Sequence, residues 1–259
     1  MKYKLIMTTR LPQIVLSTGL AFAVTACFAQ KAPRTGDPKL TEYWEPAVRI
    51  ITPGKTNADA PSDAIVLFDG KDASQWKSAK DESPVKWKIE DGALVVVGGT
   101  GNIETKEGFG DCQLHIEWRT PAEVKGESQG RGNSGIFLMG RYELQVLDNY
   151  NNRTYSNGQA ASIYKQTPPL VNACRKPGEW QTYDILFTAP TFQEDGTVKT
   201  PARITVFHNG VIVQNNTTIW GGTQYIGTPN YEKHSAKEPI VLQDHGNPTA
   251  FRNIWIRPL

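Results

Sequence analysis

Gln113-Leu-His-Ile-Glu-Trp-Arg119 decides the fold class. Leu114, Ile116 and Trp118 alternate with Gln113, His115, Glu117 and Arg119, the period of two that sends one set to each face of a β-strand. The pattern recurs on both sides of it. Upstream, 65–68 reads as a strand stopped by Asp69-Gly70. Residues 85–89 and 93–97 flank Asp91-Gly92, a hairpin signal because glycine accepts the positive φ of a tight turn. Downstream, strands are expected at 134–139, 142–147 and 183–188, and a hairpin joins 204–208 to 211–215 across Asn209-Gly210. Residues 240–242 and 254–257 close the series. No stretch has the spacing of an amphipathic helix, and no internal repeat is present. About a dozen short strands separated by turn residues imply an all-β sandwich of two antiparallel sheets.

The chain has 259 residues, a length that suits one all-β domain, and a formal net charge of +2. Lys2, Lys4 and Arg10 precede an apolar run of 16 residues, 11–26, broken by Pro12, Gln13 and Gly19. Such a run is short for a hydrocarbon core of ~30 Å and suits an export signal over 1–26. Val24-Thr25-Ala26-Cys27 resembles a bacterial lipoprotein cleavage site. It implies a lipidated Cys27, a location in the periplasm or on the outer membrane, and membrane contact only through that anchor. Ordinary signal-peptidase cleavage near Ala29 is the alternative. Loss of 1–26 removes three positive charges, which takes the net charge from +2 to −1. With no Lys/Arg cluster downstream, the composition argues against a nucleic-acid partner.

Residues 27–63 carry prolines at 33, 38, 46, 53 and 61 and read as a tether. Tyr43 and Trp44 within it gain most from burial, so the tether is expected to dock partly on the domain, which is assigned to 64–259. Beyond Cys27 the cysteines are Cys112 and Cys174. A disulfide between them would contribute roughly 4 kcal/mol by loop closure, and two separate buried thiols are the other reading.

The segment Arg131-Gly-Asn-Ser-Gly-Ile-Phe-Leu-Met-Gly-Arg-Tyr-Glu-Leu-Gln-Val-Leu-Asp148 carries the chemistry. With Leu144 and Val146 in the core, Glu143 and Gln145 turn to the opposite face. A bulge between Val146 and Asp148 would align Asp148 with them. In the preceding strand Asn133, Gly135 and Phe137 fall on the same face, and the bare Gly135 leaves space for a ligand. Two carboxylates flanking an amide suit acid/base work on a sugar, although a solvated sheet face has the same pattern. Laminarinase-like glycoside hydrolases are similar in carrying Glu-x-Asp-x-x-Glu. Here Gln145 replaces the middle acid and Asp148 the last, which argues against direct displacement at the anomeric carbon.

Near the C-terminus, His245 sits beside Gln243 and Asp244 in a turn and could shuttle protons. Arg252 could orient a carbonyl or pair with a carboxylate, and Asn253 would cap the loop. His115, His208 and His234 show no metal spacing. Trp180, Tyr142 and Tyr164 lie near the candidate face; core packing is the expected role of each, with stacking on pyranose rings the alternative.

Four segments carry a family resemblance: Val66-Leu-Phe-Asp-Gly-Lys71 with Trp76; Asn133-Ser-Gly-Ile136 with Tyr142-Glu-Leu-Gln-Val-Leu-Asp148; Gly178-Glu-Trp-Gln-Thr-Tyr183; and Leu242-Gln-Asp-His-Gly246 with Phe251-Arg-Asn-Ile254. Together they resemble the 3-keto-disaccharide hydrolase family, also described as 3-keto-glucoside lyase/2-hydroxy-glucal hydratase domains. The resemblance implies a concanavalin A-like jelly-roll sandwich and cleavage of saccharides already oxidised at C3. It suggests Glu143 or His245 as the base that removes the C2 proton, Asp148 as the acid, and Arg252 with Gln145 on the carbonyl side. Asn133, Tyr164, Trp180, Gln243, Glu117 and Arg119 complete the expected substrate contacts. A divalent cation held by Glu143 and Asp148 is an alternative way to stabilise the enolate. A non-catalytic sugar-binding module on the same fold is the competing function, and a structural partner in an envelope complex a third.

Overall fold

A computed structural model describes residues 35–259. The expected signal segment, Cys27 and the start of the tether lie outside the described residues. The chain divides into two units, Met1–Arg49 and Ile50–Leu259. In the first, Pro38–Thr41 forms a 3-10 turn capped by Asp37, whose carboxylate accepts from the Lys39 amide at 3.0 Å. The second unit begins upstream of Ala64. Ala58 O accepts from both Trp255 Nε1 and Asn253 Nδ2 at 2.9 Å, and Arg257 Nε reaches Asp63 Oδ2 at 2.7 Å.

The strands are β1 (Ile65–Phe68), β2 (Trp76–Ser78), β3 (Lys88–Glu90), β4 (Ala93–Val95), β5 (Ile103–Phe109), β6 (Cys112–Arg119), β7 (Ser134–Leu138) and β8 (Tyr142–Val146). They continue as β9 (Gln181–Thr188), β10 (Thr191–Phe192), β11 (Val198–Thr200), β12 (Arg203–His208), β13 (Val211–Thr218), β14 (Glu238–Leu242) and β15 (Ala250–Pro258). An eight-stranded sheet runs β13-β12-β9-β6-β15-β4-β3 with β1 also on β15, and a five-stranded sheet runs β2-β5-β14-β7-β8. Pairing is antiparallel, and helix among the described residues is confined to 3-10 turns. This is the expected all-β sandwich. Asp91-Gly92 joins β3 to β4 and Asn209-Gly210 joins β12 to β13, all four residues at positive φ as such turns require.

Leu114, Ile116 and Trp118 of β6, Tyr183, Ile185 and Phe187 of β9, and Ile136, Leu138, Leu144 and Val146 of β7 and β8 share one buried core. The Tyr183 hydroxyl crosses it and donates to Gln145 O at 2.9 Å, tying the sheets together directly behind the candidate site. The sequence reading missed β2, β5, β10 and β11. In β5 the run Lys106-Glu107-Gly108 interrupts the apolar alternation, and the strand is held by its pairing with β2 and β14 instead. Cys112 and Cys174 are free thiols. Burial pushes both up to about 12.

Candidate active site

Leu144 and Val146 face the core, so Glu143 and Gln145 emerge on the other side of β8, as the alternation requires. That side is not open sheet. Residues 161–164 continue the ladder beyond β8: Gln145 N donates to Ser162 O at 3.0 Å, Ala161 N to Gln145 O at 2.9 Å and Tyr164 N to Glu143 O at 3.1 Å. The folded-over segment makes a wall, and every residue of β8 is buried. The result is a cavity of about 730 Å³. Glu143, Gln145, Asn133 and Phe137 come to it from β8 and the β7 region, Gln243 and His245 from the loop after β14, and Tyr164 from the covering segment.

Glu143 is 5% exposed and has no cation in ion-pair reach among the described residues. Burial alone pushes its carboxyl up to about 8. A side chain at Gly135 would bring a Cβ to 2.7 Å from Glu143 Oε1 and 3.0 Å from the Phe137 ring. The glycine therefore makes room for the Glu143 carboxyl itself, rather than for the ligand that its bareness suggested. With its NH2 turned to Glu143, Gln145 donates to Glu143 Oε1 at 3.2 Å and to Ser134 O at 2.9 Å. In the reverse orientation the same NH2 reaches Gln129 Oε1 at 3.0 Å. Gln243 Oε1 is buried without a hydrogen-bond partner among the described residues, an acceptor that a ligand hydroxyl would satisfy. His245 lines the cavity, but Asp244 does not orient it. The Asp244 carboxylate accepts from the amides of Gly101 at 2.9 Å and Gly246 at 2.8 Å and so fixes the loop.

Four expectations are corrected by the geometry. Asp148 does not join the row: β8 ends at Val146, its pairing with β7 has no bulge, and Asp148 Oδ2 takes a 2.6 Å bond from Arg131 Nε. The Asp148–Arg131 pair borders a separate, smaller pocket with Thr120 and Asn247. Arg252, Glu117, Arg119 and Trp180 lie together on the eight-stranded sheet, away from the cavity. Arg252 Nε donates to Glu117 Oε2 at 2.7 Å, and the guanidinium groups of Arg119 and Arg252 lie 4.6 and 4.1 Å from the Trp180 ring centre. Tyr142, by contrast, takes the core position expected of it, packed on Phe187 and Tyr231. Asn253 is not a loop cap: it sits inside β15 at φ 45° and donates to Glu117 Oε1 at 3.0 Å. Finally, the Glu143/Asp148 pair does not fit a divalent cation, because the second carboxylate is engaged by an arginine. Among the described residues no three His, Cys, Asp or Glu side chains converge as a metal group.

The cavity also holds Gln129, Tyr155, Lys165, Thr223 and Tyr225, which the sequence reading did not single out. They sit on irregular segments without periodicity, and the one signal was the three tyrosines, Tyr150, Tyr155 and Tyr164, in the loop 149–165. Tyr155 and Tyr164 hydroxyls lie 2.6 Å apart. Burial raises both phenols, and the Glu143 charge contributes to holding them protonated.

Comparison with known proteins connects the chain to a family. The profile of the 3-keto-alpha-glucoside-1,2-lyase-like domain matches residues 63–257. A 3-keto-disaccharide hydrolase of Bacteroides thetaiotaomicron is 28% identical over 239 residues, 75% of this chain and 78% of that protein. A crystal structure described as a glycosyl hydrolase of Parabacteroides distasonis superposes with a TM-score of 0.83 at 54% identity, covering 86% of this chain and 97% of that one. A second from the same organism, at 21% identity and TM-score 0.55, shares the fold. With the family profile spanning its sandwich, the chain belongs to the 3-keto-alpha-glucoside-1,2-lyase-like family and is a hydrolytic enzyme of the carbohydrate-cleaving kind.

Proposed function

We propose that the enzyme cleaves 3-keto-glycosides by elimination and hydration, with Glu143 as the base that takes the C2 proton. The observation that carries this reading is a buried carboxylate without an ion partner, at the floor of a cavity lined by amides and phenols. A ketone at C3 acidifies the C2 proton, and a carboxylate pushed up to about 8 is a stronger base than a solvated one. The C2–H electron pair forms the C2=C3 enolate. Its collapse expels the C1 oxygen, which takes a proton, and leaves a C1=C2 double bond. Water then adds across that bond, hydroxyl to C1 and proton to C2, for a net hydrolysis. His245, on the cavity wall, is the group in place to protonate the departing oxygen. Gln145 and the open acceptor of Gln243 orient the sugar. The cavity volume is in the range of about 300–1,000 Å³ that encloses a ligand larger than a single small group, and suits a disaccharide.

One observation favours a second arrangement. Burial leaves Glu143 mostly protonated near neutrality, so it could serve as the acid with His245 as base. The two differ in sign. With Glu143 as base, cleavage rises with pH until about 8 and then levels; with Glu143 as acid, cleavage falls as pH passes 8. The decisive measurement runs cleavage of a 3-keto-glucoside in deuterated water across that range. Elimination and hydration place solvent deuterium at C2 of the product. Cleavage without label at C2 means direct displacement, and binding of the saccharide without cleavage would favour the sugar-binding module.

A further inference from the structure

Proton removal α to a ketone moves negative charge onto the carbonyl oxygen, and an enzyme of this type needs a group to meet it. Arg252, the expected candidate, is engaged by Glu117 and Trp180 outside the cavity. We propose that Lys165 is the catalytic group that receives the charge developing on the C3 oxygen, opposite Glu143. This inference rests on the elimination reading of the same cavity.

Lys165 is the one Lys or Arg among the described residues that line the cavity. Its position is set by the wall that also frames Glu143: Tyr164 N donates to Glu143 O at 3.1 Å, and Lys165 follows directly. The turn is tightly determined. Lys165 N donates to Asn157 O at 2.7 Å, Gln166 N to Ile163 O at 2.8 Å, and Gln166 is itself buried and held by Gly221 O and the Trp220 amide. Lys165 adopts φ 56° there, a left-handed conformation that is strained for a lysine and would suit glycine or asparagine better. The turn nonetheless carries a long cationic side chain.

The ammonium is fixed as well. Nζ donates to Tyr225 O at 2.6 Å and lies 4.1 Å from the centre of the Tyr225 ring, with the rings of Tyr155 and Tyr164 each at 5.9 Å. Three aromatic faces hold a positive charge without neutralising it. An ammonium has three donors, and one goes to Tyr225 O, which leaves two for a ligand oxygen. A full positive charge held by aromatic rings, on the same cavity as a carboxylate base, is a donor arrangement that gains strength as the oxygen becomes an enolate. The neutral ketone of the bound substrate feels it less. Lys165 should therefore act on kcat more than on KM.

The experiment compares the full-length protein with Lys165→Met and Lys165→Arg on a 3-keto-glucoside in deuterated water, reading kcat, KM and C2 label. Lys165→Met should lower kcat and label incorporation together by about 100-fold, with KM changed less than about threefold, as for loss of one oxyanion donor. Lys165→Arg, which keeps the charge, should recover a tenth or more of the wild-type rate. Thermal unfolding of both variants separates catalysis from folding, and if Lys165→Met proves unstable the Arg variant decides by its kcat against KM. Unchanged kcat in Lys165→Met, or a rise in KM alone, overturns the assignment while leaving elimination intact. Absence of C2 label in the wild-type protein overturns the elimination reading and this inference with it.

Discussion

Two glutamates of the same sandwich have opposite fates. Glu117 on β6 and Glu143 on β8 each alternate with core residues, and each is buried. Around Glu117 burial opposes the charge, but His115, Asn253 and Arg252 outweigh it and hold the carboxyl down at about 2. His115 shares the arrangement. Burial works against its charge, yet the bonds to Asp184 and Glu117 keep it up at about 9, stacked on Trp255. Around Glu143 the amide of Gln145 and a wall of phenols stand closest, no cation among the described residues lies within ion-pair reach, and burial pushes the carboxyl up to about 8. A buried carboxylate with its partners built in is structural. One left unpaired above a cavity costs stability and gains reactivity.

Replacing Glu143 by Gln tests the reactive half and should have the largest effect. Cleavage should fall by ~100-fold or more, because the amide keeps the shape and loses the proton acceptor. The same variant should melt several degrees higher than wild type at pH 8–9. An acid whose folded value is raised from 4.5 to about 8 destabilises the fold progressively above its unfolded value, and the amide does not. Full activity in Glu143→Gln with loss in His245→Ala would make His245 the base.

Asp148 tests the boundary between the two kinds of site. Were it the acid, Asp148→Asn would cost as much as the Glu143 variant. As the anchor of Arg131, it should lower activity only severalfold, by loosening the loop that presents Gln129 and Asn133. Breaking that buried pair should lower Tm by roughly 5–10 °C. A loss of activity near 100-fold without a fall in Tm would restore it to the chemistry.

Glu117→Gln should have the smallest effect on catalysis, leaving kcat/KM within about twofold while Tm drops by a few degrees at neutral pH. The sign follows from its lowered value. Its stabilisation is present above the ordinary 4.5 and is lost as pH falls toward about 2, so variant and wild type should converge in acid. A large activity loss here, with Tm unchanged, would mean that the eight-stranded face takes part in the reaction.

The legible parts of the fold were those written in local chemistry. Asp91-Gly92 and Asn209-Gly210 fix their hairpins because two consecutive residues must take positive φ, and β6 declares its two faces in seven residues. β5 was illegible because Lys106-Glu107-Gly108 spoils the alternation and only partners distant in sequence make it a strand. In the site, Glu143, Gln145, Asn133, Gln243 and His245 were found from the period of two and the family-like segments, and Tyr164 as an aromatic near that face, and they do share one cavity. Lys165, Tyr155 and Tyr225 were not, since an irregular wall has no period to read.

The sequence by itself determined the all-β class, the hairpins, and which side of β8 carries Glu143, because turn chemistry and strand alternation act over a few residues. Only the tertiary structure decided which acids stay reactive. Asp148 met Arg131, Glu117 met Arg252 and Asn253, and Glu143 met no cation within ion-pair reach among the described residues. A carboxylate's protonation depends on the charges and solvent within a few ångströms of it, and here those neighbours come from segments up to 136 positions away in the chain.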